Sequence, residues 1–247
     1  MSTPNRLTKG EAIVASLIVE EDITTDALTA ESINAVTAGL DAISNVDTLD
    51  FDTTAATTAA VARVRWNAGD GTLDLGLEGG NVTANLGQQE FMRVKHADNN
   101  GLSKGNVVYF VGSDGTNKTV RLASASVEAF SVDVLGVMAE SVTGGSTGWC
   151  CTYGFLKSIN TNHLTEGTVA WLSASPGAVT STKPTAPNHG VQIGYVIRKQ
   201  QNNGVLFVSV QNGYELDELH NVQISNPLDG QVLKYSASAG VWRNAAP

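Results

Sequence analysis

Cysteine is nearly missing from this chain, and basic charge is scarce. There are two cysteines in 247 residues, and they are neighbours, Cys150 and Cys151. A vicinal pair rarely bridges, because disulfide geometry wants a wider Cα separation than neighbours give. No disulfide framework is therefore expected, and the pair reads as two small apolar side chains made in a reducing compartment. Lysine and arginine number 15 against 24 acidic residues, a formal net charge of −9. Nucleic acid is thus an improbable partner, since duplex binding relies on clustered Lys and Arg at the phosphates. No apolar run approaches the length of a membrane span, so no membrane insertion is expected. Residues 1–6 carry no apolar core of a secretory leader.

Catalytic signatures are also missing. His96, His163, His189 and His220 stand in no H-x-x-x-H or H-E-x-x-H spacing. There is no G-x-S-x-G elbow, and Gly76, Gly79 and Gly80 are not followed by the Lys-Ser or Lys-Thr of a phosphate loop. Asp217 and Glu218 could stand across a glycosidase cleft, but adjacent carboxylates are far more often solvated. His163 and His189 each lie beside an Asn in a loop and read as turn-stabilising residues, not a shared metal site. The expectation is no enzyme, no cofactor and no metal.

What remains is a turn-rich β composition, 42% hydrophobic and only 16% charged. It is organised around Arg65-Trp66-Asn67-Ala68-Gly69-Asp70-Gly71-Thr72-Leu73-Asp74-Leu75-Gly76-Leu77. Asp70-Gly71 is a two-residue hairpin signal, and the flanks alternate as strands do. The predicted fold is mainly β, a β-sandwich or barrel-like domain over residues 61–215, with an elongated N-terminal arm before it. Residues 216–247 form a C-terminal linker-like β module.

The arm, residues 1–60, has too few bulky apolar side chains to make its own core. Ile33, Val36, Leu40 and Ile43 are spaced 3, 4, 3, the a/d seam of a short coiled coil. Two heptads are marginal alone. Intertwined strands, an extended strand arm and a loose tether also fit the pattern. In the first two readings the missing walls come from other copies, which makes these four residues the candidate oligomerisation positions.

Within the β domain, strand candidates follow at 81–86, 90–95, 102–110, 133–138, 148–156 and 191–196, separated by Gly- and Asn-rich turns. Residues 102–110 echo 164–172, and 133–138 echo 191–196. This suggests an internal duplication, with related halves at about 90–142 and 150–211. Gly136 and Gly194 sit inside strand patterns, where glycine marks a bulge or sharp bend.

The tail carries Glu215-Leu216-Asp217-Glu218-Leu219-His220-Asn221-Val222, then Asp229-Gly230-Gln231-Val232-Leu233-Lys234-Tyr235, then Gly240-Val241-Trp242-Arg243-Asn244. This order resembles the ELxELHDV…DGQVLxYN…GxWxN module of bacteriophage tail fibres and related virion proteins. Upstream, Arg65-Trp66-Asn67, Asp70-Gly71-Thr72-Leu73, Gly79-Gly80-Asn81-Val82-Thr83, Ile159-Asn160-Thr161 and Ile193-Gly194-Tyr195-Val196 are similar to a recurrent β module of phage fibres. The resemblance spans about residues 45–245. In long fibres the C-terminal module leads into further domains; here the sequence stops at Pro247.

The resemblance implies a non-enzymatic homotrimer in the virion, assembled in the host cytoplasm. Its expected role is a tail fibre, attached to other virion proteins by the arm and presenting the β domain to a bacterial surface glycan or protein. Many weak contacts would add through multivalency. The loops at 114–119, 144–147 and 176–187 are the expected contact surface. The alternative is a capsid-decorating head fibre or adaptor that binds other virion subunits.

Overall fold

The computed structural model describes Phe51 and residues 60–247. The arm, with Ile33, Val36, Leu40 and Ile43, lies outside the described residues except for Phe51 and Ala60. Among the described residues the chain is β, with two single-turn 3-10 helices.

The hairpin motif forms a small sheet of its own: β1 (Val64–Asn67), β2 (Thr72–Gly76) and β3 (Thr83–Asn85), in antiparallel order β1-β2-β3. The turn differs from the two-residue expectation. Asn67 pairs with Thr72, so four residues, 68–71, make the loop. The Asn67 side chain explains this. Its Oδ1 accepts from the backbone N–H of Gly69 at 3.0 Å and of Asp70 at 3.2 Å, an Asx turn that opens the loop. Gly71, at φ 65°, closes it in the left-handed region.

The main sheet holds β4 (Gln89–His96), β5 (Val107–Ser113), β6 (Lys118–Leu122), β7 (Val134–Met138), β8 (Thr147–Ile159), β9 (Val169–Leu172), β10 (Val179–Thr180), β11 (Gln192–Arg198) and β12 (Gly204–Gln211). Its order is β10-β9-β11-β12-β8-β4-β6-β5-β7, and β7 also pairs with β8. That last pairing closes β8-β4-β6-β5-β7 into a five-stranded barrel. The other strands continue from β8 as an open sheet. The thirteen-residue β8 belongs to both. It bends at Gly154, φ 98°, where a Cβ would come within 2.0 Å of the Gln88 carbonyl oxygen.

The two runs of strands share a pairing pattern. β5 pairs with β6 and β7, and β7 with β8. β9 pairs with β10 and β11, and β11 with β12. In each, a register shift precedes the strand glycine: Val108 faces Gly136 while Tyr109 faces Val134, and Ala170 faces Gly194 while Trp171 faces Gln192. They differ at the end. β6 joins β4 in parallel as a wall of the barrel, whereas β10 has two residues.

Adjacent apolar residues divide between two cores, as alternation along a strand requires. Val94, Val108, Val120, Met138 and Cys150 fill the barrel interior. Val107, Val137 and Cys151 turn the other way and pack with Leu156, Ile193 and Leu206 in the second core. Both cysteines are free and buried. Burial pushes the Cys150 thiol far above its ordinary range, and that of Cys151 up to about 12. Since the thiolate is the reactive form, the two thiols are packing groups.

The C-terminal module is a third sheet, β13 (Val222–Gln223), β14 (Val232–Ser236) and β15 (Val241–Ala245), in order β13-β15-β14. β13 and β15 are parallel, β14 and β15 antiparallel. Side-chain amides lock it: Asn244 Nδ2 donates to the Ser225 carbonyl at 2.9 Å and to Gln231 Oε1 at 2.7 Å. No residue from 213 to 247 is buried.

Candidate functional site

Three features could carry function. The first is a polar cleft of about 280 Å³ where the small hairpin sheet meets β8. Strand register builds it. Arg65 faces Asp74 across β1 and β2, and Asp74 faces Asn85 across β2 and β3, so the three line up across one sheet. Asp74 is almost fully buried. Its carboxylate meets Arg65 Nη2 at 2.5 Å and accepts from Asn67 Nδ2 at 3.1 and 3.2 Å and from Asn85 Nδ2. Asp70 is gripped by Lys157 of β8, at 2.6 and 2.7 Å. Each carboxylate in the cleft thus has its own cation, and together they fasten the hairpin sheet to the barrel strand. The motif at residues 65–77 supplies four of these groups: Arg65, Asn67, Asp70 and Asp74.

The second feature is the module at the C-terminus. A groove of about 440 Å³ is lined by Leu216, Ile224, Pro227, Leu228, Val232 and Leu233. Tyr235 and Trp242 meet in a tilted contact, 5.5 Å between ring centroids, and remain 56% and 43% exposed. A sheet of this size with no buried side chain has no hydrophobic driving force of its own.

The third lies where the barrel meets the root of that module. His189 Nδ1 stands 2.6 Å from Glu128 Oε2 and 2.7 Å from Glu215 Oε1. Glu128 opens a 3-10 turn, Glu128–Phe130, after β6. His189 is held by its backbone N–H, which donates to the Ala125 carbonyl at 2.8 Å. Glu215 caps the second 3-10 turn, Leu216–Glu218, in a reciprocal capping box with Glu218. The Glu128 carboxyl is held above its usual range, first by burial, then by the neighbouring Glu218 and Glu215 carboxylates against the opposing pull of His189. His163 is not among the residues of this cluster. Sequence reasoning missed the cluster because 60 residues of chain lie between Glu128 and His189.

Of the three loops expected to form a surface, the structure brings two together. The turn at 114–117 is fixed by Asp114, which accepts from the Asn117 and Thr116 backbone N–H groups; these bonds and Lys95 hold its carboxyl well below the usual range. Lys95 bonds Asp114 at 3.1 Å, and Gly145 N–H donates to the Asp98 carbonyl at 2.9 Å, so the 114–119 and 144–147 loops meet around residues 95–98. The 176–187 loop lies against other parts of the barrel, with Gly177 exchanging hydrogen bonds with Val107 and Ala123. Sequence gave no sign of a further surface, a row of aromatic side chains across the open sheet: Tyr195 faces Phe207, and Phe207 faces Phe155, with Tyr153 beside them.

No protein-family model and no curated protein matches the chain. Among solved structures it is similar to the N base of head fibre gp8.5 in bacteriophage phi29, at 12% identity and a TM-score of 0.33, over 49% of this chain and 95% of that one. At that score the likeness does not establish a shared fold.

Proposed function

We propose that the chain is a structural protein of a bacteriophage virion, a fibre subunit that works as a homotrimer and has no enzymatic activity. The observation that carries this reading is the C-terminal sheet. It has strands, turns and amide locks, but no residue from 213 to 247 is buried, and Leu216, Leu228, Val232, Leu233, Tyr235 and Trp242 face outward. Burying one such side chain is worth about 1.5–3 kcal/mol. Identical copies wound about one axis would supply that burial, and fibres are built in this way. The resemblance of residues 45–245 to phage fibre modules supports the same reading.

In this reading the arm attaches the fibre to other virion proteins. The outward β domain meets a bacterial surface glycan or protein, and the exposed rings of Tyr153 and Tyr195 offer it a stacking surface. The finer assignment is a tail fibre. Gold-labelled antibody against the purified protein, applied to intact particles under the electron microscope, tests it. Label at the tail is expected. Label on the head would move the protein to the capsid-decorating role, and particles without label would remove it from the virion.

A further inference from the structure

We infer that Glu128, His189 and Glu215 form a binding site for a divalent transition-metal ion of the zinc type, which ties the root of the C-terminal sheet to the barrel. The inference goes beyond the virion reading and does not depend on it.

Three separate segments deliver one donor atom each to one point. They are the 3-10 turn after β6, the loop before β11, and the cap of the turn that starts the C-terminal module. The three donor atoms all lie within 4.8 Å of one another. Two carboxylate oxygens converge on the same ring nitrogen, at 2.6 and 2.7 Å. One Nδ1–H carries one proton, which cannot serve both acceptors with good geometry. Glu218 adds a third carboxylate beside Glu128. Three acidic side chains thus gather about one imidazole, a donor set that a dication complements.

The donor set selects the ion. Imidazole suits zinc and its neighbours, whereas calcium and magnesium prefer sites made of oxygen alone. With bonds of about 2.0–2.2 Å, tetrahedral donors around such an ion stand roughly 3.4 Å apart. The carboxylates need to retreat by roughly 0.7 Å; both Glu128 and Glu215 are half-exposed. Three protein ligands leave an open position for water.

The test uses the full chain, stripped with chelator. Calorimetric titration with Zn²⁺ should show one site per chain, and Zn²⁺ should raise the melting temperature by several degrees, reversibly with EDTA. Co²⁺ in its place should give visible d–d absorption with a nitrogen ligand. Glu215→Gln and His189→Ala should each weaken Zn²⁺ binding by more than about 10-fold, the lower end of what loss of even a supporting group costs. His163→Ala and His220→Ala should leave it unchanged. Absence of a Zn²⁺-dependent melting shift in the intact chain would overturn the proposal. So would binding that persists in both Glu215→Gln and His189→Ala, or that depends on His163 or His220.

Discussion

Gly136→Ala should cost the fold about 3 kcal/mol or more, the upper range for forcing atoms into a packed core. The added Cβ would stand 2.2 Å from the Cys151 carbonyl oxygen and 2.9 Å from Cys150 Sγ. Neither can move cheaply. The carbonyl belongs to β8 at the point where β7 closes the barrel, with Val137 facing Cys151 and Met138 facing Cys150. The sulfur is packed in the barrel core. The clash can be relieved only by opening the β7–β8 seam, the pairing that turns a sheet into a barrel. Gly194→Ala should behave likewise at the matching place in β11, where the Cβ would lie 1.9 Å from the Phe207 carbonyl oxygen. The control is Gly115→Ala. Its φ is 92°, but nothing lies within 4 Å of the new Cβ, so it should cost only about 1 kcal/mol of backbone strain. Urea denaturation of the three variants checks the ranking; Gly136→Ala no worse than Gly115→Ala would mean that the barrel does not close where described.

Asp74→Ala should cost about 3–5 kcal/mol, the range for removing one partner of a buried ion pair. The loss is not the pair alone. Asn67 and Asn85 also donate to this carboxylate, and Arg65 faces it at 2.5 Å. Truncation strips a guanidinium and two amides of one shared acceptor at a nearly sealed position. Asp74→Asn keeps a carbonyl oxygen there and should lose less. Asp70→Ala, at a position that is partly open, should cost about 1 kcal/mol or less, as exposed pairs do. The same denaturation series reads all three, and Asp74→Ala with less than about 1 kcal/mol lost would show that the hairpin sheet is held by something else.

The strand candidates at 90–95, 133–138, 148–156 and 191–196 could be read from local pattern, because alternation and turn residues act within ten residues of chain. Burial of Cys150 and Cys151 was legible for the same reason. Which core each would join was not, since that depends on β8 having a neighbour on both faces. The glycines at 136 and 194 announced a bend; what they provide is room for a carbonyl from the next strand. The hairpin was found but its turn was misjudged, because Asn67 takes two backbone N–H groups and lengthens the loop. The Asp74 network and the Glu128–His189–Glu215 cluster depend on register and on long-range contacts, which no spacing rule reaches. Barrel closure by β7 and β8 is of the same kind.

The proposed trimer requires the C-terminal sheet to borrow its walls from identical copies. Sedimentation equilibrium of the full-length chain over a wide concentration range is the direct measurement, made beside a Leu233→Ser, Trp242→Ser double variant. The expected result is a species of three chain masses, with the double variant dissociating at concentrations where the parent stays assembled. A single-chain mass for the parent at every concentration, or a variant that associates just as tightly, would contradict it.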